Sequence, residues 1–200
     1  MAQVISADEI KKTLPGYSPE KSELFHTQSA RIADRDFDKA LKENPCKEVV
    51  LLCGGTASGK TEFLDTQLID KDCLIFDATL STEKGAEIKI RNILRAKKVP
   101  VIFAVIPDNL GRAFIAFLSR ERKFSDTHFY RTHSGSRRAL LWIATNFKDI
   151  EINLVESSYT SDQKLQFAKI EFESRQQLIN YLTGLQTTET GIISQVEKTL

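Results

Sequence analysis

The chain has 200 residues, 28 basic and 27 acidic, for a formal charge of +1, and 41% of it is hydrophobic. A chain of this length buries about 70% of the surface its unfolded form exposes, enough for one real core. A near-neutral balance without a block of five like charges argues against general binding to nucleic acid or a membrane surface, and no apolar run approaches the roughly 18 residues of a membrane span.

Residues 1–47 read as a helical leader. It opens "MAQVISADEIKKTLPGY", without the basic-then-apolar order of a signal peptide, so a cytoplasmic location is expected. In "SPEKSELFHTQSA", Ser18 is placed to cap a helix with Pro19 at its first position and Leu24 and Phe25 following. A second short helix around "DFDKALKEN" stops near Pro45.

From residue 48 to 183 strands and helices alternate. "EVVLLC", "CLIFDA", "VPVIFAVI" and "IEINLVES" are strands whose continuous apolar character predicts cover on both faces, as in a parallel sheet. Helices are expected at "EKGAEIKIRNILRAKK", "DNLGRAFIAFLSRE" and "SRRALLWIATNF". A long final helix is expected at "DQKLQFAKIEFESRQQLINYL", where Leu165, Ala168, Phe172, Ile179 and Leu182 form a stripe. The order predicts a three-layer α/β/α unit with a mostly parallel sheet of the P-loop type. Residues 184–200 form a weakly patterned tail. Cys46, Cys53 and Cys73 show no paired spacing and read as buried free thiols.

The strongest motif is "GGTASGKT". Gly54, Gly59, Lys60 and Thr61 complete G-x-x-x-x-G-K-[ST], between an apolar strand and a helix. Glycines at 54, 55 and 59 allow a tight curl in which the backbone of Thr56, Ala57 and Ser58 turns its N–H groups toward phosphates. The Lys60 ammonium then bridges the β and γ phosphates, and the Thr61 hydroxyl ligates Mg²⁺. A nucleoside triphosphate, ATP or GTP with Mg²⁺, is the expected ligand. The guanine-reading N-K-x-D motif is absent, since "TNFKD" has the wrong spacing, which weakens a GTPase switch.

Phosphoryl transfer also needs an acid near the acceptor and cations around the moving phosphoryl group. Asp77 ends the second of these strands, at the sheet edge where open α/β folds bind ligands; it either holds the metal or takes the acceptor proton. Asp108 is either a second acid or the N-cap of the next helix. The basic segment 119–138 is placed as a lid, with Arg120, Arg122 and Arg131 as candidate phosphate ligands, and His133 as a lid contact or a cap. Ser157 and Ser158 lie where a nucleotide base is expected to be read.

"GGTASGKTEFL", "LIFDATLS", "FLSRERKFSDTHFYRTHSGSRRALL" and "INLVESS", with the leader "PGYSPEKSELFHTQSARIADRDF", resemble the zeta toxin family of P-loop kinases over about residues 14–160. The resemblance implies a kinase that phosphorylates UDP-N-acetylglucosamine on a sugar hydroxyl with ATP or GTP and Mg²⁺, and an antitoxin partner that blocks the nucleotide site. Lys60 and Thr61 match the family's P-loop. Arg120 and Arg131 match its phosphate-binding arginines, with Arg122 as the substitute. The chain departs from the family where Thr79 stands in the acidic position and the sugar-binding insertion is missing. Either Asp77 takes the base role or that segment is gone. The alternatives are a kinase for another metabolite or nucleotide, and a regulatory nucleotide binder with little turnover.

Overall fold

The apolar blocks become strands because both of their faces are covered. In the computed structural model, which describes residues 1–160 and 164–199, strand β2 (Glu48–Cys53) sends Val49, Leu51 and Cys53 into one core cluster and Val50 and Leu52 into another. Period-two alternation with no polar side therefore reads as an unbroken apolar run. Six strands form one sheet in the order β1-β3-β2-β4-β5-β6. The others are β1 (Gln3–Ser6), β3 (Leu74–Asp77), β4 (Val99–Pro107), β5 (Glu151–Tyr159) and β6 (Leu165–Ile170), and every pairing is parallel except β5 with β6. The fold is a three-layer α/β arrangement. Helices α2 (His26–Glu43), α4 (Glu83–Arg95), α6 (Asp126–Asn146) and α7 (Arg175–Gly184) contribute to the larger cluster. Helix α3 (Lys60–Phe63), continued by a π-helical turn over Leu64–Leu68, covers the other face with Phe63, Leu64 and Leu68. No helix among the described residues is long and apolar enough to cross a membrane.

The leader is not wholly helical. Gln3–Ser6 forms β1, parallel to β3, and leads into α1 (Ala7–Lys12). Four residues are too few to show a period, yet Ile5 enters the larger cluster while Val4 packs on the smaller. Ser18 caps no long helix: Pro19–Lys21 is one 3₁₀ turn without a side-chain cap bond. The chain proceeds by further i→i−3 bonds, such as Leu24 N–H to Lys21 O at 3.0 Å, and Leu24 is 79% exposed. The two expected helices give way to one, α2, whose buried stripe is Ala33, Phe37, Ala40 and Leu41. It ends where Asn44, before Pro45, turns extended.

The expected helix at 162–182 is also corrected; its start at Asp162 and Gln163 lies outside the described residues. Leu165–Ile170 is strand β6, antiparallel to β5. Leu165 and Phe167 share a strand face as readily as Leu165 and Ala168 share a helix face. The edge of β5 and the ring of Phe63, 5.2 Å from that of Phe167, decide for the strand. Helix α7 starts afresh after Ser174, whose side chain accepts from Gln177 N–H. In the tail, α8 (Glu189–Glu197) buries Ile192 and Val196 against α5 (Leu110–Leu118) and α6. The cysteines are free, and Cys46 is only half-buried.

Arg175 ties the end of α6 to the start of β5. Its guanidinium donates to the carbonyls of Ala144 at 3.0 Å, Ile150 at 2.9 Å and Phe147 at 2.7 Å. Arg175→Met keeps the stem and removes the donors, so it should destabilise the fold by about 1–3 kcal/mol in urea denaturation. A change below about 0.5 kcal/mol would mean that water replaces the guanidinium without loss.

Candidate functional site

The loop 54–59 leaves β2 at the carboxyl edge of the sheet, and its shape is set by what surrounds it. Gly54 has φ +138°, and a Cβ there would lie 2.3 Å from Val105 O. At Gly55 a Cβ would fall 2.4 Å from the His133 ring. Ala57 and Gly59 also have positive φ, +62° and +87°. Three neighbours fasten the curl. Thr56 N–H donates to Thr132 Oγ1 at 3.1 Å, His133 Nε2 lies 2.8 Å from Thr56 O, and Ser157 Oγ donates to Ser58 O at 2.8 Å. The Lys60 ammonium sits inside the curl, donating to the carbonyls of Gly54 and Gly55, each at 3.1 Å. Burial pulls the Lys60 pKa below its ordinary value, with Asp77 opposing and Arg120 adding to the fall.

Asp77 ends β3 beside this curl. Its Oδ2 accepts from Ser6 Oγ at 3.2 Å, while Oδ1 is buried with no partner among the described residues. Burial raises its pKa; the Lys60 charge pulls the other way without cancelling it. A cleft of about 310 Å³ opens in front, and Lys60, Thr61, Asp77, Asp8, Arg120 and Arg122 line it. A second cleft of about 620 Å³ shares all of these but Lys60. The aromatic wall of the first comes from His26, Phe124 and His128. Phe124 and His128 stack at 4.4 Å, and His26 meets His128 edge-on at 5.3 Å.

Of the residues singled out in the sequence, Thr56, Ala57, Ser58, Lys60, Thr61, Asp77, Arg120 and Arg122 come together around the first cleft. Gly54 and Gly55 lie behind the curl, against β4 and His133. Arg131 is exposed on α6 and lines neither cleft. The reason is that α6 begins at Asp126, ten residues before the helix expected from "SRRALL", so residues 126–138 are helix and not lid. Phe129, fully buried against Phe114 and Phe117 at 5.1 and 5.4 Å, starts the helix early. His133 is neither lid contact nor cap but a buried support of the loop. Asp108 is exposed, and Asn109 caps α5 by accepting from Arg112 N–H at 2.9 Å. Ser157 and Ser158 are inside β5.

Asp8 was missed, along with His26 and His128. Asp8 lies just past β1, so only recognition of that four-residue strand would have placed it at the sheet's carboxyl edge. Thr61 fits Mg²⁺ as a hard oxygen donor, and Asp77, whose Oδ1 is without a partner among the described residues, either reaches the ion through a water or takes a proton. The described residues hold no cluster of three acidic, histidine or cysteine groups for a metal.

No family model matches the chain, and no curated protein does. The chain is similar in structure to the crystal structure of AvrRxo1-ORF1:AvrRxo1-ORF2 with sulphate ions, with a TM-score of 0.52 and 13% identity over 87% of this chain and 76% of that one. The AvrRxo1-ORF1:-ORF2 structure with ATP aligns at a TM-score of 0.48 and 12% identity, over 86% and 75% of the two chains. The native complex aligns at 0.48 and 12% over 91% and 85%. At such identities the first likeness bears on the fold alone.

Burial depresses two histidines near the loop: His133 to about 3, although the Thr56 carbonyl favours its charged form, and His128 to about 4, with His26 and Arg131 adding to the fall. An unfolded histidine titrates near 6.5, so the unfolded chain binds more protons between these values and about 6.5. Their contribution to stability is complete above that pH and is lost as pH falls. Melting temperatures measured from pH 7.5 to 5 should drop, and His133→Gln, which keeps a donor for Thr56 O, should flatten the slope. An unchanged slope in that variant would contradict the assignment.

Proposed function

We propose that the chain is a P-loop kinase that transfers the γ-phosphoryl group of a nucleoside triphosphate, ATP or GTP, to a hydroxyl of a small molecule. The observation that carries this reading is the convergence of Lys60, Thr61, Asp77, Arg120 and Arg122 on one cleft. Lys60 takes the β and γ phosphates, its ammonium exchanging two carbonyl contacts for phosphate oxygens, while Thr56 N–H stays with Thr132 Oγ1 and Ser58 N–H with Gly55 O, contrary to the expectation that these amides face the phosphates. Thr61, with Asp77 close by, would hold Mg²⁺, which when bound neutralises charge on the phosphates. Arg120 and Arg122 stabilise the charge on the group in flight. The acceptor oxygen bonds to the γ phosphorus, the bond from that phosphorus to the β-γ bridging oxygen breaks, and the proton passes to Asp77 Oδ1. A carboxyl with a raised pKa and an unfilled oxygen suits that role.

The acceptor proposed is a UDP-activated amino sugar such as UDP-N-acetylglucosamine. The resemblance to zeta toxins supports it. A protein partner of antitoxin type belongs to the same reading. The structural neighbour at a TM-score of 0.52 is itself a complex of two chains, ORF1 and ORF2.

Mass spectrometry of UDP-sugars and nucleotides incubated with the protein, Mg²⁺ and ATP or GTP tests this directly. A UDP-amino sugar should gain the mass of one phosphate. Lys60→Ala should lower the rate by about 100-fold or more, as loss of a charge-stabilising donor does, and Asp77→Asn by a similar factor. Tight binding of triphosphate with no acceptor modified would favour the regulatory binder instead.

A further inference from the structure

Residues 119–125 carry the two cleft arginines between α5 and α6 and form no strand or helix. They are held by the leader at four places. Lys123 N–H donates to Pro19 O at 3.0 Å, and Ser125 donates to the Glu23 carboxylate through its N–H at 3.1 Å and its hydroxyl at 2.9 Å. Arg122 Nη1 meets Asp8 Oδ2 at 2.6 Å. Lys11, one turn along α1 with its side chain fully buried, bonds Asp8 Oδ1 at 3.1 Å, and its ammonium lies 4.6 Å over the Phe124 ring.

Asp8 is the centre of this grip. It shares one oxygen with each cation, so the position of Arg122 is set by an anion that Lys11 in turn orients. A guanidinium on an exposed loop samples many rotamers, and tethering removes that freedom before the reaction. Burial pushes the Asp8 carboxyl up, but the charges of Arg122 and Lys11 outweigh it and hold it below its ordinary value, so it stays ionised at neutral pH. The pair lies where the two clefts meet, since both count Asp8 and Arg122 among their walls.

We propose that Asp8 is a positioning residue for phosphoryl transfer: through its ion pair with Arg122, itself braced by Lys11, it sets the arginine loop over the triphosphate. This rests on the kinase reading of the cleft. Asp8 touches no phosphate in this role. As an anion close to Lys60 it slightly opposes binding of the triphosphate, so its loss should separate binding from turnover.

The test compares the wild type with Asp8→Asn, Asp8→Glu, Arg122→Ala and the double variant Asp8→Asn/Arg122→Ala, all in the full chain. Asp8→Asn should lower kcat roughly tenfold or more while KM for triphosphate rises no more than about threefold. Asp8→Glu should recover part of the loss, and Asp8→Asn should add nothing once Arg122 is alanine. An Asp8→Asn enzyme within about twofold of wild type, or an equal loss in the Arg122→Ala background, would overturn the proposal. Limited trypsin digestion followed by mass spectrometry provides a readout independent of transfer. Cleavage after Arg122 and Lys123 should be faster in Asp8→Asn than in wild type, and equal rates would overturn the tether. If the wild type transfers phosphate to nothing, the kinase reading fails, and the digestion alone decides whether Asp8 sets this loop.

Discussion

A lysine ammonium held partly out of water is the constraint around which this site is built. Removing such a charge from solvent costs several kcal/mol unless carbonyls or carboxylates replace the lost hydration. Lys60 finds both. The curl of 54–59 supplies two carbonyls, and Asp77 supplies the counter-charge. The curl in turn needs glycine where Val105 and His133 leave no room for a side chain. Asp77 needs Ser6, because its other oxygen, Oδ1, is buried and already without a partner among the described residues. So the demands of one cation reach from β2 to β3 and from there to β1, while α6 and β5 hold the loop from behind.

What could be read from the sequence follows from how each element encodes its surroundings. The loop 54–59 is local: the residues that make the curl are adjacent in the chain, and spacing alone reveals them. The central strands were legible because burial on both faces leaves an unbroken apolar run. Helix α4 was legible because its buried positions, Ala86, Ile90 and Ile93, repeat at helical spacing, and Thr82 caps it by accepting from Gly85 N–H.

What could not be read depends on partners distant in sequence. The strand β1 exists because β3 offers an edge, and β6 because β5 does; "LQFAKI" alone suits a helix stripe equally well. Arg131 sits among cations like Arg120 and Arg122, yet α6 turns it to the surface, because Phe129 anchors that helix earlier than the pattern of its second half suggests. His133 looked like part of a mobile arm for the same reason. Asp8, without a motif, is at the cleft only because the sheet puts the end of β1 there.

The pairing of β1 with β3 bears on how the molecule assembles. Gln3 lies opposite Leu74, and Ser6 opposite Asp77, so the ladder closes a loop of about seventy residues with a strand of only four. Closing such a loop costs chain entropy that four residues of ladder barely recover, so this edge of the sheet should form late and open first. When it opens, Asp77 loses its hydroxyl partner and the arginine loop loses its ion pair in one event. A ligand that needs the assembled cleft binds only the closed form and shifts this local equilibrium toward it. A ligand held there would complete the fold as well as occupy it.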